Sequence, residues 1–275
     1  MNWEDEGILL SKIKFRENAS IINVFTNKRG RVSGIVYGGT SRKIRNYLQI
    51  SNKIFIIYSW KSENKLGYFK TELIEVISPK YFNDKKKTTA LLSLSSILNL
   101  LLPESQPYKN LYISLNELLK NFDQPDWIVL YIYWELKLLK ELGFDPSLDQ
   151  HFLDGEQMSE YKTIQIDKID YQVPTFLLSK KKNNIFQNKQ ISMALSLTRN
   201  ILLNKFFFPN NLSFPKSRLI LENYFNWLAI SKEKYDTIAF DPLRFNETRL
   251  SIMASSFKIP LLIPFFIKEY SPDTW

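Results

Sequence analysis

Over Gly7–Phe15 (GILLSKIKF) polar and apolar side chains alternate, with Lys12 and Lys14 on one face and Ile13 and Phe15 on the other. A period of two marks a half-buried strand. Ser20–Thr26 continues in β-branched and aromatic residues, Asn27–Gly30 (NKRG) is a turn, Arg31–Gly38 alternates again, and Asn52–Trp60 is a further run. Ser62–Gly67 (SENKLG) then turns into Tyr68–Ile77 as a fifth strand, and Ser78-Pro79 closes the segment. Five short strands within about 80 residues predict a small closed barrel of the OB type, a form that leaves no exposed edge.

Beyond the barrel the period changes. Asp84 is placed to cap a helix that starts at Lys85–Lys87, continues through TALLSLSSILNLLL and ends at Pro103. Tyr108–Phe122 carries Leu111, Leu115, Leu118 and Leu119 at helical spacing. Pro125-Asp126 opens a third helix, Trp127–Leu142 (WIVLYIYWELKLLKEL), stopped by Gly143. Its first two turns are apolar nearly all round, which makes it the expected buried hub of a helical domain. Asp149–Tyr171 is polar and weakly patterned, with a short strand pair expected around Thr163–Ile169, and Pro174–Leu178 leads into a loop at Lys180–Lys182. Lys189–Phe207 and Ser217–Leu228 read as two more helices, and Phe245–Phe257 as another in the tail.

Charge sharpens this picture. The net charge is +9 over 275 residues, and its placement matters more than its size. Residues 1–80 hold 14 Lys and Arg against 7 Asp and Glu, while the rest of the chain holds 23 against 21. From Asn18 to Ser62 there is no Asp or Glu, yet Lys28, Arg29, Arg31, Arg42, Lys43, Arg45, Lys53 and Lys61 all fall there. A barrel whose middle strands are basic and acid-free suits a polyanion, nucleic acid above all. Tyr37, Tyr47 and Tyr58 lie close by, as stacking faces for unpaired bases or as barrel packing. Isolated Lys53 and Lys61 read as edge protection. Lys180–Lys182, Lys189, Lys216 and Arg218 form a weaker set, read as solubilising loop residues, with an extended strand path as the alternative.

The chemical inventory points away from catalysis. There is no cysteine and a single histidine, His151, so disulfides, thiolate metal sites and cysteine nucleophiles are excluded. His151 sits in a loop without a partner pattern. Glu4-Asp5-Glu6 reads as a solvated, flexible start, and GIVYGGTSRK lacks the spacing of a phosphate loop, leaving Gly38-Gly39 as a tight turn. MNWEDEG has no apolar signal region, and the late run Ile259–Ile267 is short and broken by Pro260 and Pro264. The expected location is cytoplasmic, at the nucleoid.

Several stretches resemble the bacterial RecO recombination mediators. They are WEDEGILLSKIKFRENASIINVFTNKRGRVSGIVYGGTSRKIRNYLQ, with Glu17-Asn18 and the T-x-x-x-G turn Thr26–Gly30, then LLPESQPYKNLYISLNELL, WIVLYIYWELKLLKELGF and ALSLTRNILLNKFFFPNNLSFPKSRLIL. The resemblance implies an α+β, multidomain chain. Its parts would be an OB-fold domain over 1–79, a helical core over 84–148, a small distal module over 149–182, helices completing the helical domain over 183–230, and a tail of open role over 231–275. It further implies binding of single- and double-stranded DNA, strand annealing, and help in loading recombinase onto DNA coated with single-strand-binding protein. The implied partners are a RecR-type protein and the acidic C-terminal tail of single-strand-binding protein. Many members carry a four-cysteine zinc site after the LGF segment. The equivalent HFLDGEQMSEYKTIQID has no cysteine, so no metal and no cofactor is expected.

The expected DNA contacts are Lys12, Lys14, Lys28, Arg29, Arg31, Arg42, Lys43, Arg45 and Tyr47. Lys137 and Lys140 are the candidate contacts for a partner peptide. The rival readings are a protein-interaction adaptor whose basic charge is incidental, and an RNA-binding module.

Overall fold

β1 spans Asn2–Arg16, longer than its alternation suggests, because it serves two partners. Its first half pairs with β4 (Lys53–Ser59) and its second with β2 (Ala19–Thr26), and a bulge between Leu9 and Ser11 re-aims the strand. With β3 (Gly30–Tyr37) and β5 (Tyr68–Glu75) the strands close a barrel in the order β1-β2-β3-β5-β4, the OB arrangement. The computed structural model describes residues 2–38, 41–60, 66–151, 159–179 and 186–235, with backbone alone at Lys43 and 227–235. Gly39, Lys61, Lys180–Lys182 and the expected helix Phe245–Phe257 lie outside the described residues.

Alternation fills the barrel as expected. Leu9, Ile22, Val24, Val32, Val36, Ile54, Ile56 and Phe69 point inward, and burying each of the larger ones contributes about 1.5–3 kcal/mol. The T-x-x-x-G turn has a physical reason. Thr26 Oγ1 accepts from Arg29 N at 3.1 Å and donates to Gly30 O at 3.1 Å. Gly30 has φ +70°, and a Cβ there would stand 1.7 Å from the carbonyl oxygen of Gln106.

Two expectations are corrected here. Glu4-Asp5-Glu6 is not a solvated start: it is part of β1, and Asp5 is buried, accepting from Lys28 N at 3.0 Å and Glu6 N at 2.9 Å. Lys53 protects no edge, since the barrel closes over it; its Nζ meets Glu6 Oε1 at 2.9 Å.

Between β3 and β4 the chain forms a short helix, α1 (Arg42–Tyr47), capped by Ser41. Asn52 holds the barrel's exit to it. This buried amide donates to Tyr47 O at 3.0 Å and accepts from Ile77 N at 2.8 Å and Ser78 N at 3.1 Å. Asn52→Ala leaves two buried N–H groups unpaired, and is expected to cost at least about 2 kcal/mol. It would be read as a lower urea midpoint at unchanged slope.

The helices follow their periods. α2 (Lys85–Leu101) is capped by Asp84, whose Oδ1 accepts from Lys86 N and Lys87 N. α3 (Lys109–Lys120) and α4 (Trp127–Glu141) follow, and Gly143 takes φ +93° to stop α4. α5 (Asn188–Leu202) runs on into a π turn at Leu203–Phe207, and α6 covers Lys216–Tyr235. Barrel and helices share one core: Ile8, Leu10 and Phe25 belong to the same cluster as Leu94, Ile97, Leu98 and Leu115. Within the distal module, β6 (Tyr161–Ile166) and β7 (Ile169–Pro174) form a hairpin. It is held by hydrophobic burial, with Ile164, Ile166, Tyr171 and Val173 turned into that core beside Phe176–Leu178.

Arg218 overturns its reading as a solubilising loop residue or a step on a strand path. It sits on α6 with no exposure at all. Its Nε donates to Glu135 Oε1 at 2.6 Å, and its Nη2 to Glu135 Oε2 at 3.0 Å, Leu195 O at 2.7 Å and Thr198 Oγ1 at 3.1 Å. Thr198 Oγ1 and Tyr131 OH donate to the same carboxylate, and Ser93 Oγ lies 2.8 Å from Tyr131 OH. Burial opposes the Arg218 charge, but Glu135, Tyr131 and Glu222 more than offset it and raise its affinity for the proton. Every helix from α2 onward except α3 has a residue in this network.

Candidate nucleic-acid interface

The described basic residues expected to bind DNA fall into two groups on the barrel, with Arg31 apart from both. The first group forms where the second half of β1 approaches α1. Lys14 and Arg16 are exposed on β1, and Arg42 and Arg45 are exposed on α1, with Lys43 between them in the chain. Lys12 is half-buried, and its pKa lies below the ordinary lysine value because of that burial and the nearby Arg45 charge. Gly38 N donates to Asn18 O at 2.8 Å and Ser41 N to Gly38 O at 2.8 Å, which pins the base of α1 to the β1–β2 turn. Gly38 has the positive φ, +68°, that this turn needs.

Tyr47, expected to stack on bases, faces the barrel: it packs against the barrel core and its hydroxyl donates to Thr71 O at 2.8 Å. Tyr37 is the more open of the two. It is 58% exposed and stacks on Tyr68 with ring centroids 5.2 Å apart. Its hydrogen bond with Tyr68 raises its pKa, and the Arg16 charge pulls the other way. Arg16 was absent from the expected contacts. Its place at the end of a strand, one residue before Glu17, hid it within an apparently mixed-charge turn.

Lys28 and Arg29 lie elsewhere, on the β2–β3 turn at the barrel mouth. The Arg29 guanidinium stands 4.5 Å from the centre of the Trp3 ring. Along β1, nine residues at about 3.3 Å each put roughly 30 Å of strand between Trp3 and Lys12. Arg31 is drawn into structure: its Nε donates to Leu102 O at 2.7 Å, and its own carbonyl accepts from Ser105 N at 2.8 Å. That guanidinium joins the barrel to the segment after α2.

On α4, Lys137 is half-buried and Lys140 exposed. Lys140 already meets Asp145 Oδ2 at 2.7 Å, a hydrogen bond that raises the lysine pKa and lowers that of the carboxylate. Lys189, from the weaker set, pairs with Glu160 at 3.1 Å.

Comparison with known proteins follows this architecture. The model for "Recombination protein O N terminal" matches residues 1–77, the barrel, and that for "Recombination protein O C terminal" matches residues 83–187. A protein of a Wolbachia species (strain wRi), named DNA repair protein RecO, is 30% identical over 240 residues, covering 80% of this chain and 99% of its own length. The chain belongs to the RecO family. RecO proteins of Roseobacter denitrificans (32% identical over 158 residues) and Hyphomonas neptunium (35% over 158) match 57% and 56% of this chain. Those matches span 66% and 65% of the relatives' own lengths, just under two thirds. The zinc site carried by many RecO proteins does not fit the residues here, because the chain has no cysteine and one histidine. Among the described residues no helix is long and apolar enough to cross a membrane.

Proposed function

We propose that the protein acts without catalysis in recombinational DNA repair. It would bind single- and double-stranded DNA, anneal complementary strands, and help load recombinase onto DNA coated with single-strand-binding protein. The observation that carries this reading is the convergence of Lys12 and Arg45, with Arg42 on the same short helix, on a stretch of chain free of acid from Asn18 to Ser62. Clustered cations displace the counterions condensed on phosphates, and screening two strands at once lowers their mutual repulsion. Tyr37 adds a face on which an unpaired base can stack. The proposed partners are a RecR-type protein and the acidic tail of single-strand-binding protein. Lys137 and Lys140 are candidates for that tail's carboxylates, with Lys140 exchanging Asp145 for the peptide.

The test is a fluorescence assay with complementary oligonucleotides precoated with cognate single-strand-binding protein. Annealing is expected to accelerate in the presence of the protein, and to fall back to the uncatalysed rate with the Arg42→Ala/Lys43→Ala/Arg45→Ala variant. No acceleration by a folded protein that still binds the coating protein would favour an adaptor.

A further inference from the structure

β3 pairs with β2 along one edge, while its other edge is taken at Arg31, opposite Glu104, and at Ile35, opposite Tyr68. In an antiparallel pair every second residue turns its backbone N–H and C=O away from the partner strand. Arg31 O accepts from Ser105 N at 2.8 Å and Ile35 N donates to Gly67 O at 2.9 Å, which puts both residues, and Ser33 between them, in that outward set. Neither the N–H nor the C=O of Ser33 has an outward hydrogen-bond partner among the described residues. Both ends of this gap are fixed. Gly30 lies against Gln106, and Gly34 backs Phe69 so closely that a Cβ there would fall 2.5 Å from its ring. A groove of about 530 Å³ opens at the gap. Val32, Trp60, Leu66 and Pro107 give it apolar walls, and Lys28 and Arg29 stand on its rim. Glu104 is the one carboxylate among the described residues that line it.

We propose that this gap is a protein-docking site: a short extended acidic segment of a partner lies beside β3, completes the ladder at Ser33 and turns its carboxylates toward Lys28 and Arg29. It assigns a surface to the partner-binding part of the reading above and makes no use of the α1 cluster. An open stretch of strand edge presents a paired donor and acceptor that another extended chain satisfies. Four residue steps of about 3.3 Å separate Arg31 from Ile35, roughly 13 Å of edge, which holds about three residues of a partner. A helix offers no free backbone pair along its length, so it leaves Ser33 unmet. A nucleic-acid base lacks a face to stack on, because Trp3 and Tyr58 stack on each other and the Arg29 guanidinium stands over Trp3. Side chains alternate along an extended segment, so an apolar residue can rest on Trp60 and Leu66 while its neighbours point to solvent. Two cations against the single carboxylate of Glu104 make an acidic segment the favoured one.

The experiment uses the full chain and a labelled peptide with blocked ends, an aspartate pair followed by alternating valine and threonine, read by fluorescence anisotropy. Saturable binding is expected. Methylating the backbone nitrogens of the valine–threonine stretch in turn should weaken binding about fivefold where the ladder is made, the size of one hydrogen bond, with every side chain kept. Ser33→Pro reads the ladder from the other side. It removes an N–H that β2 does not use, at the kind of edge position where proline is tolerated, and should also weaken binding about fivefold. Thermal melting checks that this variant folds, and the methylated peptides decide the matter if it does not. Arg29→Gln, and a peptide with asparagines in place of the aspartates, should each weaken binding, and the two together no more than either alone. Arg42→Ala/Arg45→Ala, distant from the gap, should leave peptide affinity within about twofold. A folded protein that does not bind the peptide, or that binds every methylated form as tightly as the parent, overturns the inference. So does displacement of the peptide from the Arg42→Ala/Arg45→Ala variant by a single-stranded oligonucleotide, which would give the groove to nucleic acid. Annealing that still depends on Arg42 and Arg45 while the peptide fails to bind leaves the DNA-binding proposal standing and removes only this one.

Discussion

Glu135→Ala is expected to destabilise the protein by about 3–5 kcal/mol, the range for removing one partner of a buried ion pair. The side chain it removes accepts from Arg218 at 2.6 and 3.0 Å, from Thr198 at 2.6 Å and from Tyr131 at 2.9 Å. What remains is a guanidinium with no exposure, now facing Glu222 alone among carboxylates at a longer 3.4 Å. Arg218→Ala should cost a similar amount, by stranding the Glu135 carboxylate. Replacing both, as Glu135→Leu/Arg218→Met, is expected to recover more than half of either single loss, because no unpaired charge is then buried. Urea unfolding of the four proteins checks this. A double variant as unstable as the sum of the singles would mean that the helices depend on the hydrogen bonds themselves and not on charge compensation.

The second large effect lies in salt dependence. For single strands the logarithm of affinity falls against the logarithm of salt by about 0.7 for each phosphate neutralised, so Arg42→Ala/Arg45→Ala should make that slope shallower by roughly 1.4. Between 50 and 200 mM salt this means that the variant loses roughly sevenfold less affinity than the parent does. Arg31→Ala is the internal contrast. Its guanidinium is bonded to Leu102 O, so it is expected to lower stability and leave the slope where it was. An unchanged slope in the α1 variant would remove this surface as the DNA site. A slope that moves with Arg31 instead would place the phosphate contacts at the junction between barrel and helices.

The strands, the capped start of α2 and the buried hub α4 were legible because each depends on local pattern: a period of two, Asp84 before a helical run, and a stretch apolar on every side. The basic, acid-free middle of the barrel was legible for the same reason, since charge along a strand is a property of the chain. The fate of each cation was not. Lys28, Arg29 and Arg31 stand within four residues of one another, yet their neighbours come from β1 and from the segment after α2. Asp5 looked like one of three solvated carboxylates until barrel closure buried it under a turn more than twenty residues away.

Arg218 shows the same limit most plainly, because its partner Glu135 is 83 residues distant and neither residue carries a local mark of being buried. By itself the sequence determined the barrel strands, helices α2 to α6, the lack of thiol chemistry and the sign of the charge on the barrel; the short α1 was not legible in it. Only the tertiary structure decided which cations face solvent, which tyrosine is exposed, and which arginine is a strut, because desolvation and pairing depend on groups that the fold brings together from distant parts of the chain.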